Sequence, residues 1–148
     1  SLCFSKGLGC PVGSVLVGSR EQMHAALRIR KVFGGGMRQA GYLAAAGSYA
    51  LKHHRKDLSL DHKRAKEIAE VLENCSFVHE IQPVTTNIII FSLKSDYDEV
   101  QFVQELKEKQ ILIIGLGKGK LRMVTHRDYT QEHHTYLLTT LSKMEVYA

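Results

Sequence analysis

The chain has 148 residues, of which 44% are hydrophobic and 24% charged, the composition of a globular protein rather than of a disordered or fibrous one. No apolar run approaches the roughly 18 residues that a membrane-spanning helix needs, so the sequence predicts no transmembrane segment. The net charge of +5 comes from Lys and Arg spread along the chain without interleaved aromatic residues, which favours a solvated surface over a nucleic-acid site.

The first third of the chain predicts one strand and two helices. Residues 15–17 (VLV) are a short β-branched run that predicts a buried strand. Ser19 is a good N-cap for a helix that continues to the glycines at 34–36. A second helix, over residues 37–56, is so rich in Ala and Gly that we expect it to be buried against other backbones.

An amphipathic surface helix at 57–74 then leads into a segment that predicts the order β-β-α-β-β-α, an α+β layer with one core. Residues 87–93 (NIIIFSL) are apolar enough to predict a strand covered on both faces. The other predicted strands lie at 77–81, 111–114 and 121–125. One predicted helix begins at a cap on Asp96 or Asp98 and ends at 109, and the last covers 130–147. We expect a domain boundary near residue 50, because one strand and two helices cannot close a domain alone.

Lys6 stands in SKGLG (5–9), a stretch of small and apolar residues with few charges nearby. An apolar, glycine-lined site would lower the pKa of a lysine and supply the neutral amine that attacks a carbonyl group. The alternative is a lysine at the mouth of a turn with its amine in water, and local composition favours this second interpretation.

Two glycine-rich segments could cradle an anion. In GGGMR (34–38) the glycines precede a predicted helix start and Arg38 adds a bidentate donor for phosphate or carboxylate, although a simple turn between helices is the commoner use of such glycines. GLGKGK (115–120) precedes a strand rather than a helix, and we interpret it as a flexible hairpin turn with exposed lysines.

Arg122 lies on a predicted strand, with Leu121, Met123 and Thr125 on the opposite face. An arginine on the inner face of a strand requires an anion, either a nearby Asp or Glu or the carboxylate of a substrate. The following HRD triplet lacks the other residues of a kinase catalytic loop.

The histidine pairs at 53–54 and 133–134 cannot clamp a metal, because neighbouring residues of a helix do not share a face, and we expect both pairs at the surface. The three cysteines, Cys3, Cys10 and Cys75, show no metal-ligand spacing. This pattern predicts reduced thiols in an intracellular compartment and no zinc site.

Three blocks in order, SKGLGCPVGSVLVG (5–18), KVFGGGMRQAGYLAAAG (31–47) and LRMVTHRD (121–128), resemble the C-terminal half of the low-specificity L-threonine aldolase family. The resemblance implies an α/β fold: the end of a pyridoxal-phosphate-dependent transferase-like large domain at 1–50, including the linking helix, and a small α+β C-terminal domain at 51–148. Together with the Ser at position 1, it leads us to expect a piece of a longer protein.

The resemblance also implies roles for single residues. Lys6 is expected to form the Schiff base with pyridoxal 5'-phosphate, Arg38 and Lys31 to lie near the cofactor phosphate or a subunit boundary, and Arg122 to hold the substrate carboxylate. The residues that pair with the pyridine nitrogen and stack on the cofactor ring precede the lysine in this family. We therefore expect the chain alone to be inactive.

The implied reaction is aldol cleavage of L-threonine or L-allo-threonine to glycine and acetaldehyde, in a homotetramer with no nucleic-acid or membrane partner. A cytoplasmic location is expected, with a mitochondrial one left open. Two alternatives remain: another β-eliminating lyase of the same superfamily, acting on aromatic or sulfur amino acids, and a non-catalytic truncated paralogue.

Overall fold

A computed structural model describes residues 1–144 and divides the chain into two compact units, Ser1–Leu58 and the residues from Ser59 onward. The assignment of 1–50 and 51–148 to two functional domains stays a prediction. In chain order the elements are β1 (Leu2–Cys3), β2 (Ser14–Val15), α1 (Arg20–Val32), α2 (Gly41–His53), a short 3-10 turn (Arg55–Asp57), α3 (Leu58–Leu72), β3 (Val78–Ile81), β4 (Ile88–Leu93), α4 (Glu99–Glu108), β5 (Ile114–Gly117), β6 (Lys120–Val124) and α5 (Gln131–Lys143).

The first unit has a small core. Its buried apolar residues are Leu8, Cys10 and Ala50, with Phe4 and Leu58 packed against them. Strands β1 and β2 form a two-residue antiparallel pair that closes the loop between them. The core of this unit therefore lies between that loop and the C-terminal half of α2.

Two predictions of burial in this unit were wrong. The expected strand at 15–17 is exposed, with Val17 at 77% of its full accessibility, and α2 buries only Gly47 and Ala50. The small cluster is too limited to cover these segments, and apolar composition leads to burial only where another element packs against it. The helix also begins at Gly41 rather than at residue 37, because Gln39 has φ +53, a value that interrupts a helix.

The predicted start of α1 is confirmed. The Ser19 hydroxyl accepts a hydrogen bond from the Gln22 N–H at 3.2 Å, and the Gln22 side chain accepts one from the Ser19 N–H at 2.9 Å. This reciprocal capping box satisfies two backbone donors that the helix itself leaves unpaired.

The second unit is a four-stranded antiparallel sheet with the strand order β3-β4-β6-β5, and α3, α4 and α5 contribute to the core on one face. The predicted order β-β-α-β-β-α is confirmed. Phe91 lies opposite Leu121, and Ile89 opposite Met123, so the two central strands present matched apolar pairs to the helices. All four of these side chains are buried.

Three details of the second unit differ from the prediction. Strand β4 alternates instead of being covered on both faces: Ile89, Phe91 and Leu93 are buried, while Ile88 is 41% exposed. Strand β5 lies three residues later than expected, at Ile114–Gly117. Its last residue, Gly117, pairs with Lys120 of β6, so the hairpin turn has only two residues and the strand continues up to it. Helix α5 runs to Lys143, and the last residues of the predicted helix, 145–147, lie outside the described residues.

Candidate active site

Lys6 lies in a tight turn near the start of the first unit. The N–H of Gly9 donates to the Lys6 carbonyl at 2.8 Å, and Gly9 has φ +69, which glycine adopts without strain. The Lys6 side chain is exposed. Of the two interpretations left open by the sequence, the structure of this unit therefore matches the lysine of a turn with its amine in solvent, and its covalent role stays a prediction.

The loop that carries Lys6 packs closely on α2. A Cβ atom at Gly47 would lie 3.2 Å from the ring of Phe4, so glycine at this position allows the ring to approach the helix. The Cys10 thiol points at the Ala46 carbonyl, with Sγ 3.6 Å from the oxygen. Side chains of this loop therefore approach the Ala/Gly-rich helix closely at Ala46 and Gly47.

The prediction that both histidine pairs are at the surface was wrong for one member of each pair. The Nδ1 atom of His54 lies 2.8 Å from the Leu8 carbonyl oxygen. His134 is 2% exposed, with Nε2 2.7 Å from the Glu67 carboxylate and Nδ1 3.2 Å from the Tyr129 hydroxyl. Leu8 is 46 residues from His54 and Glu67 is 67 residues from His134, so a local sequence pattern could not reveal these contacts.

Polar side chains from two other parts of the second unit surround the buried ring of His134. Burial raises the pKa of Tyr129 to about 12, against the lowering effect of the nearby Arg64 guanidinium, which lies 5.7 Å from the ring centroid. Tyr129 therefore keeps its proton at neutral pH, and its hydroxyl and the Glu67 carboxylate lie on the two ring nitrogens of His134. The cluster ties α3 to the segment that begins α5.

The glycine run at 34–36 closes α1 and leaves no free backbone donor for an anion. Gly34, with φ +81, donates its N–H to Lys31, Gly35 donates to Arg30, and Gly36 donates back to Gly34. This is the hydrogen-bond pattern of a glycine C-cap, and it confirms the simpler turn interpretation. A Cβ at Gly36 would lie 2.7 Å from the Lys31 amine, so the Lys31 side chain folds back over the run.

Arg38 is exposed and precedes α2 by three residues instead of lying in its first turn. The Arg38 and Lys31 side chains are both in the first unit, as is Lys6, whereas Arg122 belongs to the second. The phosphate role of Lys31 and Arg38 stays a prediction.

Arg122 lies in the middle of β6, between Ile90 of β4 and Ile114 of β5. The predicted alternation of this strand is confirmed, because Leu121 and Met123 are buried on the helix side and Arg122 is half-buried on the open face. Its Nε atom is buried and has no hydrogen-bond partner among the described residues. A buried guanidinium donor without an acceptor is rare in folded proteins and marks a place where an anion is expected.

The second glycine segment forms the predicted hairpin turn between β5 and β6, and it already holds an anion. The Glu99 carboxylate at the start of α4 accepts hydrogen bonds from the N–H groups of Gly117 at 3.0 Å and Gly119 at 2.8 Å. A Cβ at Gly115 would lie 2.3 Å from the same carboxylate. The phosphate-cradle pattern in the sequence is thus explained by an internal carboxylate.

Residues 1–144 contain no cluster of three or more His, Cys, Asp or Glu side chains placed to hold a metal ion. In the same range, every helix is too short or too polar to span a membrane.

Comparison with known proteins identifies the family. The model of the beta-eliminating lyase family matches residues 1–96, which include the Lys6 turn, both helices of the first unit and β3 and β4 of the second. The chain belongs to the beta-eliminating lyase family.

Several relatives with curated names are low-specificity L-threonine aldolases. The chain is 38% identical to low-specificity L-threonine aldolase 1 of Arabidopsis thaliana over 141 residues, which cover 93% of this chain and 39% of the relative. It is 40% identical to the low specificity L-threonine aldolase of Escherichia coli (strain K12) over 132 residues, or 89% of this chain and 38% of the relative. The chain therefore spans about two fifths of the length of these relatives.

Solved structures show the same fold. A protein of Exiguobacterium sp. 255-15, assigned as an aromatic amino acid beta-eliminating lyase/threonine aldolase, superposes with a TM-score of 0.72 at 19% identity over 95% of this chain and 43% of its own. A C-DES mutant with glycine covalently linked to the PLP cofactor superposes with a TM-score of 0.54 at 20% identity over 70% of this chain and 28% of its own. The expected fold class, the α/β architecture of pyridoxal-phosphate-dependent transferase-like enzymes, is confirmed.

Proposed function

We propose that a polypeptide containing this chain cleaves L-threonine or L-allo-threonine to glycine and acetaldehyde with the help of pyridoxal phosphate. Family membership and the 38% and 40% identity to named threonine aldolases support this reaction. Within the chain, the proposal is carried by the buried, unpartnered Nε of Arg122, because an amino-acid substrate supplies the carboxylate that this group lacks.

The residues of the first unit fit pyridoxal phosphate. The Lys6 side chain is exposed on its turn, and its amine is the group proposed to bind the cofactor covalently. Lys31 and Arg38 supply the positive charge that suits its phosphate group. When bound, the cofactor supplies an electron sink for the carbanion left at Cα.

Arg122 is proposed to bind the α-carboxylate of the substrate through two parallel N–H···O bonds. A grip of this kind fixes the rotation of the amino acid and so selects which bond of Cα is aligned for cleavage. We propose that the isolated chain turns over little substrate. The complete protein is proposed to be a cytoplasmic homotetramer, without nucleic-acid or membrane partners.

The name of the matching family, beta-eliminating lyase, supports a second candidate reaction, β-elimination. A β-eliminating lyase acting on aromatic or sulfur amino acids would use Lys6 and Arg122 in the same roles but release a different product. Incubating the longer polypeptide separately with threonine, allo-threonine, tyrosine and cysteine and identifying the products distinguishes the two. Absence of any product would favour the non-catalytic paralogue.

The decisive experiment is Lys6→Ala in a polypeptide of the relatives' length that contains this chain. We expect loss of the visible absorption band of bound pyridoxal phosphate and a fall in glycine production of at least about 10³-fold, because a covalent attachment site is removed. Lys52→Ala, at an exposed position of α2, is the matched control and should leave both unchanged. An unaltered absorption band in Lys6→Ala would contradict the proposal.

A further inference from the structure

We propose that His54 is a positioning residue that holds the turn carrying Lys6 in the orientation needed to bind the cofactor. The inference rests on the proposed function of Lys6. It starts from the 2.8 Å contact between Nδ1 of His54 and the carbonyl oxygen of Leu8, two residues after the lysine. Composition and periodicity place His54 at the surface, yet its side chain is half-buried against this loop.

The chemistry of the contact fixes its direction. A carbonyl oxygen only accepts, so Nδ1 of His54 must carry the proton and donate it. The neutral Nδ1–H form and the imidazolium both have that proton. The bond between His54, which directly follows α2, and Leu8 is therefore present in both forms of the ring, and its effect on Lys6 should not depend on the charge of His54.

Leu8 is fixed through both its side chain and its carbonyl group, so the bond from His54 restricts the conformation of the whole turn. Its side chain is 5% exposed and packs in the cluster with Cys10 and Ala50. The bond between Gly9 and Lys6 closes the turn around it. Once the Leu8 side chain and carbonyl are both fixed, the remaining freedom at Lys6 lies mainly in its own side chain.

Loss of the His54 donor leaves the Leu8 carbonyl without this partner, and leaving a partly buried carbonyl unpaired costs free energy. The turn can recover that energy only by rotating the carbonyl toward water. Such a rotation reorients the peptide groups between Lys6 and Leu8 and with them the Lys6 amine.

The neighbouring histidine provides a matched control. His53 is exposed and its ring stacks on Tyr49, with the ring centroids 4.3 Å apart, on the same turn of α2. Replacing either histidine by leucine removes one imidazole from the same helix end. Only His54→Leu removes the donor to Leu8, and His54→Asn restores an N–H near the position of Nδ1.

The test has two readouts. The first is hydrogen exchange of the Gly9 and Cys10 amides in the 148-residue chain without cofactor, which we expect to be about tenfold faster in His54→Leu. The second is the affinity of the longer polypeptide for pyridoxal phosphate, followed by the absorption band that Lys6→Ala abolishes, which we expect to fall about tenfold. His54→Asn should restore most of both, and His53→Leu should change neither.

The outcomes separate this inference from the proposed function. Unchanged exchange, or faster exchange with unchanged cofactor affinity in His54→Leu, overturns the positioning role while leaving the role of Lys6 intact. A melting temperature lowered equally in His53→Leu and His54→Leu, with equal loss of affinity, also overturns it. If the unsubstituted polypeptide and Lys6→Ala bind pyridoxal phosphate alike, the proposed function itself fails and the positioning role falls with it.

Discussion

Arg122 lies on the open face of the sheet, between Ile90 of β4 and Ile114 of β5. We expect Arg122→Gln to raise the KM for the amino-acid substrate about 10- to 100-fold, because charged hydrogen bonds to the carboxylate are lost. Steady-state kinetics of the longer polypeptide measure this. Lys120→Gln, two residues away on the same strand face, is the control, and an equal effect of both substitutions would show that only general charge matters.

Asp61, at the start of α3, carries a buried carboxyl group. Burial raises its pKa above the ordinary value of 3.8, with Arg64 as the largest opposing influence. The folded state therefore holds this proton more tightly than the unfolded state, and the free energy of unfolding falls as the pH rises from 3.8 through the raised pKa.

We expect Asp61→Asn to remove that fall, so that the variant gains stability relative to the unsubstituted chain as the pH increases through this interval. Urea unfolding between about pH 4 and pH 7 measures it. Asp96→Asn, at an exposed position, is the control. A gap between Asp61→Asn and the unsubstituted chain that does not change with pH would contradict the expectation.

At the residue scale, the sequence predicted the alternation of β6, but it placed Arg122 on the inner face instead of the open one and missed the environments of His54 and His134. Strand alternation is a local rule, and the inward and outward positions of β6 follow from it. The histidine contacts join residues 46 and 67 positions apart, and only the folded chain brings them together.

The hairpin between β5 and β6 shows how an element is fixed by a residue of another element. Glu99 receives two N–H groups of the turn, and Gly115 leaves the space that its carboxylate needs. We expect Glu99→Ala and Gly115→Ala each to lower the free energy of unfolding by about 1–3 kcal/mol, and the double variant to lose less than the sum, because both remove the same bonds.

Urea unfolding of the four proteins of this cycle measures the coupling. Gly41→Ala is the control, since a Cβ at Gly41 meets nothing within 4 Å and this first residue of α2 has no positive φ. It should stabilise the chain by about 0.5–1 kcal/mol. Additive losses in the double variant would show that Glu99 and Gly115 act separately.

Most elements were predictable because their determinants lie within a few residues. The Ser19 N-cap and the alternating β6 strand are examples, and both occur where the sequence predicted them. Burial was predicted less well. Three apolar segments are partly exposed in the described part of the chain: residues 15–17, α2 and one face of β4. An apolar pattern identifies a surface that is stabilised by burial. Whether another element packs on that surface depends on residues outside the segment.

At the scale of the whole chain, the two units differ in how much each can stabilise itself. The second buries a core that draws residues from its helices and from its two central strands, whereas the first buries three apolar side chains. Residues 1–58 carry nine Lys and Arg against two Asp and Glu, a net charge of +7, and the rest carry eleven against thirteen, a net charge of −2. The first unit also leaves Phe33 and Tyr42 more than four-fifths exposed.

We therefore expect residues 59–148, produced alone, to unfold in one cooperative urea transition with a slope of about 1 kcal/mol/M. Residues 1–58 alone should show a gradual loss of helical circular dichroism without a transition, because a core of three residues does not offset chain entropy and like charges repel. The 148-residue chain provides the reference signal for both pieces. A sigmoidal transition for residues 1–58 would contradict this expectation and would mean that the small core of Leu8, Cys10 and Ala50 is enough to stabilise the unit that carries Lys6.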